Sequence, residues 1–406
     1  MAGSVGCRSS WWIVVGSAVG LIFSTGPLLQ FCFGAFILPV SRSLEVDRGA
    51  VSLALLLSLG ASGLMTPILG RIADRLGVRK VIMPGVACFG LAYASIGLFS
   101  AHSLVTFLSC YTMTGAIGAA QTPLLYAKSI TSAFDRSRGM ALGIAMAGVG
   151  VGAAIMPRLA QWLVERLGWQ QAYEALGLAA VAIALPAVSL LRVSGHPSLE
   201  PAVVDVSGGP SDGSFARYFA KLALTFFLVA VAASGVVAHL IPLMTDRGVV
   251  PEAAAATIAG SGGALILGRV LAGYCLDRLF APKVAAVFFA LPLVGIGLLL
   301  ATSTGIAACI AAVLIGLGLG AEMDLIAFLQ SRYLGLVRFG EIYGYMLMIF
   351  MLGSGVGPFL MGMSFRFSAS YRAALALFVA GLAIACGLML TLGAYRFGAG
   401  RRDAGS

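Results

Sequence analysis

Residues 70–80 read GRIADRLGVRK, a short polar and basic interval between two long apolar runs, and residues 273–279 read GYCLDRL, a worn copy of its first seven positions. Gly, Asp, Arg and Leu keep their places in both. A single charged interval says only that an apolar stretch has ended. The same interval at the same place in two series of apolar runs says that the chain is an internal duplication. Repeated helical bundles of this kind are how transporters build a central site with two alternately open ends.

The composition around these intervals fixes the solvent. Hydrophobic residues make up 60% of the 406, charged residues 10%, and the mean hydropathy is +0.99, far outside the range of a soluble globular chain. Twelve apolar runs recur, at about 11–40, 50–69, 81–100, 103–128, 139–164, 169–191, 217–242, 252–274, 283–301, 304–330, 340–364 and 371–395. Each is long enough to cross the hydrocarbon as a helix, and the alternating ten-residue pattern of barrel strands is absent. The run from Trp11 to Val40 is too long for a cleaved signal and reads as a retained first span.

Charge gives the orientation. With the N-terminus in the cytoplasm, the cytoplasmic loops carry 18 Lys and Arg and the outer loops 7, Arg269 within a span completing the 26. That bias predicts a multi-pass protein of the cytoplasmic (inner) membrane with both termini inside. The net charge of +10 lies in these loops, so no nucleic-acid partner is expected. The seven cysteines, at 7, 32, 88, 110, 275, 309 and 386, form no CxxC pair and read as small apolar residues, with no metal or cofactor expected. RVSGHPSLEPAVVDVSGGPSDGSFAR (192–217) has no apolar run and is rich in Pro, Gly and Ser. It divides the chain into an N-terminal six-helix bundle (1–191), a cytoplasmic linker (192–216) and a C-terminal six-helix bundle (217–406).

The two loop copies, the twelve spans and the central linker together resemble the major facilitator superfamily over essentially the whole chain. RSRGMALGIAMAGVGVG (136–152) resembles the fifth-span signature of its monocarboxylate transporter branch. GRVLAGYCLDRL (268–279) resembles the eighth span of that branch and of the oxalate/formate exchangers. The resemblance implies an all-α membrane protein of twelve transmembrane helices in two pseudo-symmetric six-helix bundles, working by alternating access. For Arg269 it implies engagement of a substrate carboxylate. For the loops it implies gates: behind Gly70, Asp74 and Arg75 would face Glu341 at the start of the eleventh span. Asp277, beside Arg278, would face the start of the fifth near Gly139, closing the cytoplasmic side of the outward-facing state. Orientation by positive charge alone is the alternative reading of these loops. The chain departs from the branch at SSWWIVV (9–15), which lacks the acid of the first-span signature, and in having no lysine in its first or eleventh span. YTMTGAIG (111–118) lacks the arginine on which proton-antiport exporters of the superfamily lean.

The polar residues inside the spans are the candidate site. A guanidinium is always charged and presents a planar fork that matches a carboxylate, so Arg269 reads as an anion anchor. The alternatives are a structural ion pair or snorkelling to the cytoplasmic face. Glu322 and Asp324, in GLGLGAEMDLIAFLQSRYLG (316–335), are two residues apart and point about 200° from one another, so only one can meet Arg269. Asp324 is the expected partner. A substrate anion competing for Arg269 would free that carboxylate to take a proton, unless the pair is a permanent tie between spans. His239, in GVVAHLIPLMTDRG (235–248), reads as an outer gate or proton relay, or as a locally bonded interfacial histidine. Gln30, Gln121 and Tyr126 are donors in the first half, fit either for substrate or for a neighbouring helix.

GSGGALILGR (260–269) lacks the GK[ST] ending of a phosphate loop, so neither an ATPase nor any other enzyme is expected. The reading is a secondary active transporter of a small organic anion, monocarboxylate-like, in symport with a proton, embedded in the bilayer as a monomer. Uptake of a larger aromatic acid or an amphipathic vitamin such as riboflavin, export of a small molecule, and a non-transporting receptor are the rivals.

Overall fold

The computed structural model describes residues 4–100, 103–134, 138–189, 191, 214–335 and 339–397. Residues 192–213, most of the expected linker, lie outside them. Every regular element among the described residues is helical. In hydrocarbon a helix satisfies each backbone N–H and C=O within its own segment, which an unpaired extended segment could not do.

The twelve spans are all present, and several depart from the apolar runs. Three are broken. The first span consists of Ser4–Ile22, a π turn at Gly26–Phe31 and Phe33–Ser43. Pro27 has no N–H to donate back to the preceding turn, and beyond it the helix widens, Cys32 N donating to the Pro27 carbonyl at 3.1 Å. The fourth span divides at Pro123 into Leu104–Gly118, a 3₁₀ turn at Ala119–Gln121, and Pro123–Ala133. Thr122, just before the proline, is extended at φ −75°, ψ 151°, as that position demands. The sixth span carries a π turn at Ala180–Ala184 between Trp169–Ala179 and Leu185–Ser189. Eleven spans are continuous enough to qualify as membrane-crossing helices by length and apolarity alone, and the divided fourth is the twelfth.

The continuous spans are Arg48–Leu76, Val78–Phe99, Arg138–Leu167, Ser214–Asp246, Pro251–Leu276, Ala281–Ala301, Gly305–Tyr333, Phe339–Ser368 and Arg372–Leu390. The second ends later than its apolar run. The GRIADRL interval is its last two turns, and the chain leaves the helix only at Gly77, whose φ of 91° suits a residue without Cβ. Likewise GYCL finishes the eighth span, and Asp277 is its C-cap.

The duplication is visible in the packing. In the first half the first span packs on the fifth, the second on the fourth and the third on the sixth. In the second half the seventh packs on the eleventh, the eighth on the tenth and the ninth on the twelfth. The halves meet along two matching seams, second span on eleventh and fifth on eighth, with the first also touching the seventh. These seams are closed at one end only. On the side remote from the chain termini, Gly49 lies against Gly362 and Gly34 against Ala238, and at mid-span Gly262 lies against Ala153 and Ala154. On the side of the termini, Gly70, Gly143, Gly273, Gly340 and Gly344 have no foreign atom within 4 Å of where a Cβ would stand. The cleft between the halves is therefore open toward the termini.

Within each half the spans close on one another through glycine. A methyl group at Gly148 would sit on the Ala18 carbonyl of the first span, whereas one at Gly143, on the same helix, would meet nothing. Gly148→Val is expected to lower stability by about 1–3 kcal/mol, the usual cost of overpacking. Gly143→Val should leave it unchanged, as read from thermal unfolding in detergent. Equal losses at both positions would contradict this packing.

Candidate functional site

Arg269, seven residues inside the end of the eighth span, lies where the two halves part. Gly268 lies against Leu317 and Gly320 against Leu265 and Gly268, so the eighth and tenth spans run backbone to backbone at this level. That approach brings their side chains into register. Arg269 Nε is 3.6 Å from Asp324 Oδ2, with the two side chains 18% and 43% exposed. Nε also donates to the Gly320 carbonyl at 3.4 Å, and Nη1 reaches across the cleft to the Met146 carbonyl of the fifth span at 3.4 Å. Tyr343 of the eleventh span lies in the electrostatic field of both charges.

All three contacts of Arg269 are long. A well-formed bond from a guanidinium to a carboxylate spans about 2.7–2.9 Å. The fork is held in place and left underused, at the edge of a cleft open to one side. Helix continues for about 10 Å beyond Arg269 to Leu276, and about 13 Å beyond Asp324 to Tyr333, at 1.5 Å per residue. Both charges are thus further from their helix ends than the apolar runs implied.

The sequence profile of the Major Facilitator Superfamily matches residues 19–358. The chain belongs to that superfamily. It is 28% identical to monocarboxylate transporter 13 of Rattus norvegicus over 94% of this chain and 88% of that one. A shorter stretch, 35% of this chain and 26% of the other, is 32% identical to the riboflavin transporter RibJ of Trypanosoma brucei brucei. Among solved structures, a bacterial homolog of the human lysosomal transporter Spinster, crystallised inward-facing and occupied, superposes with a TM-score of 0.68 at 17% identity, covering 95% of this chain and 96% of that one. The protein is a multi-pass membrane transporter and not an enzyme.

The remaining candidates of this superfamily member fall in three places. Glu322 is on the opposite face of the tenth span from Asp324, 1% exposed, with Oε1 unpartnered among the described residues. In the first half, Gln121 and Tyr126 are fully buried and bonded to each other, Tyr126 Oη donating to Oε1 at 3.0 Å, with the phenol against Gly20. Gln30 is half-buried in the π turn of the first span. On the open side, Arg75, Asp277 and Glu341 are exposed, and Arg278 stacks on Tyr274 at 4.1 Å. Gly70 and Asp74 lie in the last two turns of the second span.

The far side holds a cluster of which the sequence reading singled out only His239. Arg48, at the start of the second span, makes a two-pronged pair with Asp246 at the end of the seventh, Nη1 to Oδ2 and Nη2 to Oδ1, the latter at 2.8 Å. Its Nη1 also donates to Tyr371 Oη at 2.6 Å, and its guanidinium lies 3.8 Å from the centre of the Phe365 ring. Arg366 approaches Asp47 to 3.6 Å alongside. His239, fully buried, bonds Ser52 of the other half through Nε2 at 2.9 Å. A signal was present: Arg48 is one of the few basic residues on the side where the charge rule disfavours them.

Because Asp324 is 43% exposed and its contact with Arg269 is long, the pair contributes little to holding the fold. Asp324→Asn is expected to change unfolding stability by less than about 1 kcal/mol, the range of exposed ion pairs. A large drop in thermal midpoint would mark the pair as a structural tie.

Proposed function

We propose that this transporter carries a small organic anion of the monocarboxylate class across the cytoplasmic membrane together with a proton, by alternating access. The observation that carries the reading is Arg269: a guanidinium at the boundary of the two halves, steered by contacts too long to satisfy it. A bound carboxylate would replace them with two short, parallel bonds. The likeness to monocarboxylate transporter 13 over most of both chains supports the same class of cargo.

Arg269 touches both halves, through Gly320 and Met146, so an anion bound there bears on how the halves meet. Asp324 is the group placed to feel it. While the site is empty the carboxylate is balanced by Arg269, and a substrate anion that takes over the guanidinium leaves Asp324 uncompensated and ready to accept a proton. Anion and proton then travel as a neutral pair. Glu322, on the far face of the same helix, takes no part in this exchange. With the termini in the cytoplasm, as the loop charges favour, the open cleft faces inward and the structure is the substrate-releasing state.

A second reading keeps the anchor and enlarges the cargo. The stretch similar to RibJ favours a larger amphipathic solute, and a single cation does not require a small acid.

Uptake into proteoliposomes under an inward proton gradient separates the two, with labelled pyruvate, lactate, benzoate and riboflavin offered in turn. Arg269→Ala is expected to reduce anion uptake about a hundredfold, in keeping with the roughly 2–5 kcal/mol lost when one member of a charged contact is removed. Asp324→Asn should abolish gradient-driven accumulation while sparing exchange of substrate for substrate. Undiminished uptake by Arg269→Ala would remove the anchor, and accumulation retained by Asp324→Asn would remove the coupling role.

A further inference from the structure

The contacts that close the far side form a ring, and its hydrogen-bond directions fit the neutral form of His239. Ser52 Oγ donates to the Arg48 carbonyl at 2.7 Å, so its only hydrogen is committed. The 2.9 Å contact between Ser52 Oγ and His239 Nε2 must therefore be donated by the imidazole. With its hydrogen on Nε2, neutral His239 has a bare Nδ1, which faces Tyr371 Oη at 3.4 Å. Tyr371 Oη already accepts from Arg48, leaving the phenol hydrogen for Nδ1. Burial pushes the Tyr371 phenol up to about 12, so that hydrogen is retained at any physiological pH. Arg48, Tyr371, His239 and Ser52 thus form a circuit that crosses between the halves twice, its Tyr371–His239 contact the longest at 3.4 Å.

We propose that His239 is a proton-binding site whose occupation releases the far-side lock. A second hydrogen on Nδ1 takes away the acceptor that the Tyr371 phenol uses. It also sets a buried imidazolium beside the Arg48 guanidinium, with Asp246 engaged on the guanidinium's other edge. The surroundings offer no carboxylate in exchange. Asp47 faces Arg366, and Arg247, just past the end of the helix that carries His239, is turned to the Leu299 and Thr302 carbonyls. The first span presents Gly34 to Ala238, and the eleventh offers only the Pro358 carbonyl. Separation of the halves hydrates the charged ring and relieves both conflicts.

Protons reach the lock from outside. A cavity of about 410 Å³ opens on the far face, lined by Asp246, Phe365 and Tyr371 among others, so water stands at the outer edge of the ring while His239 lies beneath it. The sign follows from linkage. The closed lock requires neutral His239 and the parted halves tolerate the cation, so falling external pH shifts the population toward the state open on the far side. The inference goes beyond anion transport and involves no substrate.

The test reads the lock directly in the full chain, in lipid nanodiscs without substrate. Spin labels are placed at Ser43→Cys and Ser303→Cys, on far-side ends of opposite halves, with the native cysteines replaced by serine. Between about pH 8 and about pH 5, where an exposed imidazole charges, the long-distance population is expected to grow about threefold or more. His239→Gln keeps an N–H for Ser52 but cannot charge, and should hold one distribution at both pH values. Arg48→Gln and Tyr371→Phe, which break the ring at its rim, should populate the long distance at both. A wild-type distribution unchanged by pH overturns the proposal, as does a His239→Gln protein that keeps the wild-type response. If His239→Gln does not fold, a pH response undiminished in Tyr371→Phe overturns it equally. No flux enters the measurement, so it stands or falls apart from the anion reading.

Discussion

Helices in hydrocarbon gain little from burying apolar side chains against one another, because lipid offers the same contact. What holds them is close approach of their backbones. In this chain glycine supplies that approach at every level: Gly148 on the first span, Gly357 on the seventh, Gly268 and Gly320 between the eighth and tenth. The same device serves across the halves, at Gly49 with Gly362 and at Gly262 with Ala153. Seams within a half are long and continuous, while the seams between halves close at one end only. Two bundles that meet in this way can pivot about the closed part of their contact, which is the motion that the proposed alternating access requires.

The charges are distributed to suit such a pivot. At the open side stands Arg269 with Asp324, loosely held and accessible. At the closed side stands Arg48, held by Asp246, Tyr371 and the Phe365 ring at short range. The contrast is one of distance: Arg48 is met closely by its partners, whereas the contacts of Arg269 are 3.4–3.6 Å long, and the two proposed roles rest on that difference. Both engage the two halves at once, so the energy of either bears on which end of the cleft is open.

Much of this was legible from residue order. The repeat of GRIADRL in GYCLDRL exposed the duplication, and run lengths gave the twelve spans. Helical phase separated Glu322 from Asp324 before any coordinates did, since two residues on one helix cannot face the same way. The broken spans were harder to read. Pro27 and Pro123 stand in runs apolar enough to pass for continuous helix, and hydropathy does not register a missing N–H. The ends of the second and eighth spans were hidden for a related reason: polar residues end an apolar run without ending the helix, which continues until Gly77 and Asp277.

The far-side lock lay beyond sequence reasoning. Arg48 and Asp246 are 198 residues apart and Arg48 and Tyr371 are 323 apart, and each looks like an ordinary loop residue at a span end. The residue order by itself determined the solvent of this protein, its number of crossings, its inner symmetry and the presence of Arg269 within an apolar span, because those follow from hydropathy, period and charge along a single strand of text. Only the tertiary structure decided which charges meet, which end of the cleft is shut, and which hydrogen a buried histidine must carry. Those depend on where two separately folded halves touch, and contact across that boundary has no period to betray it.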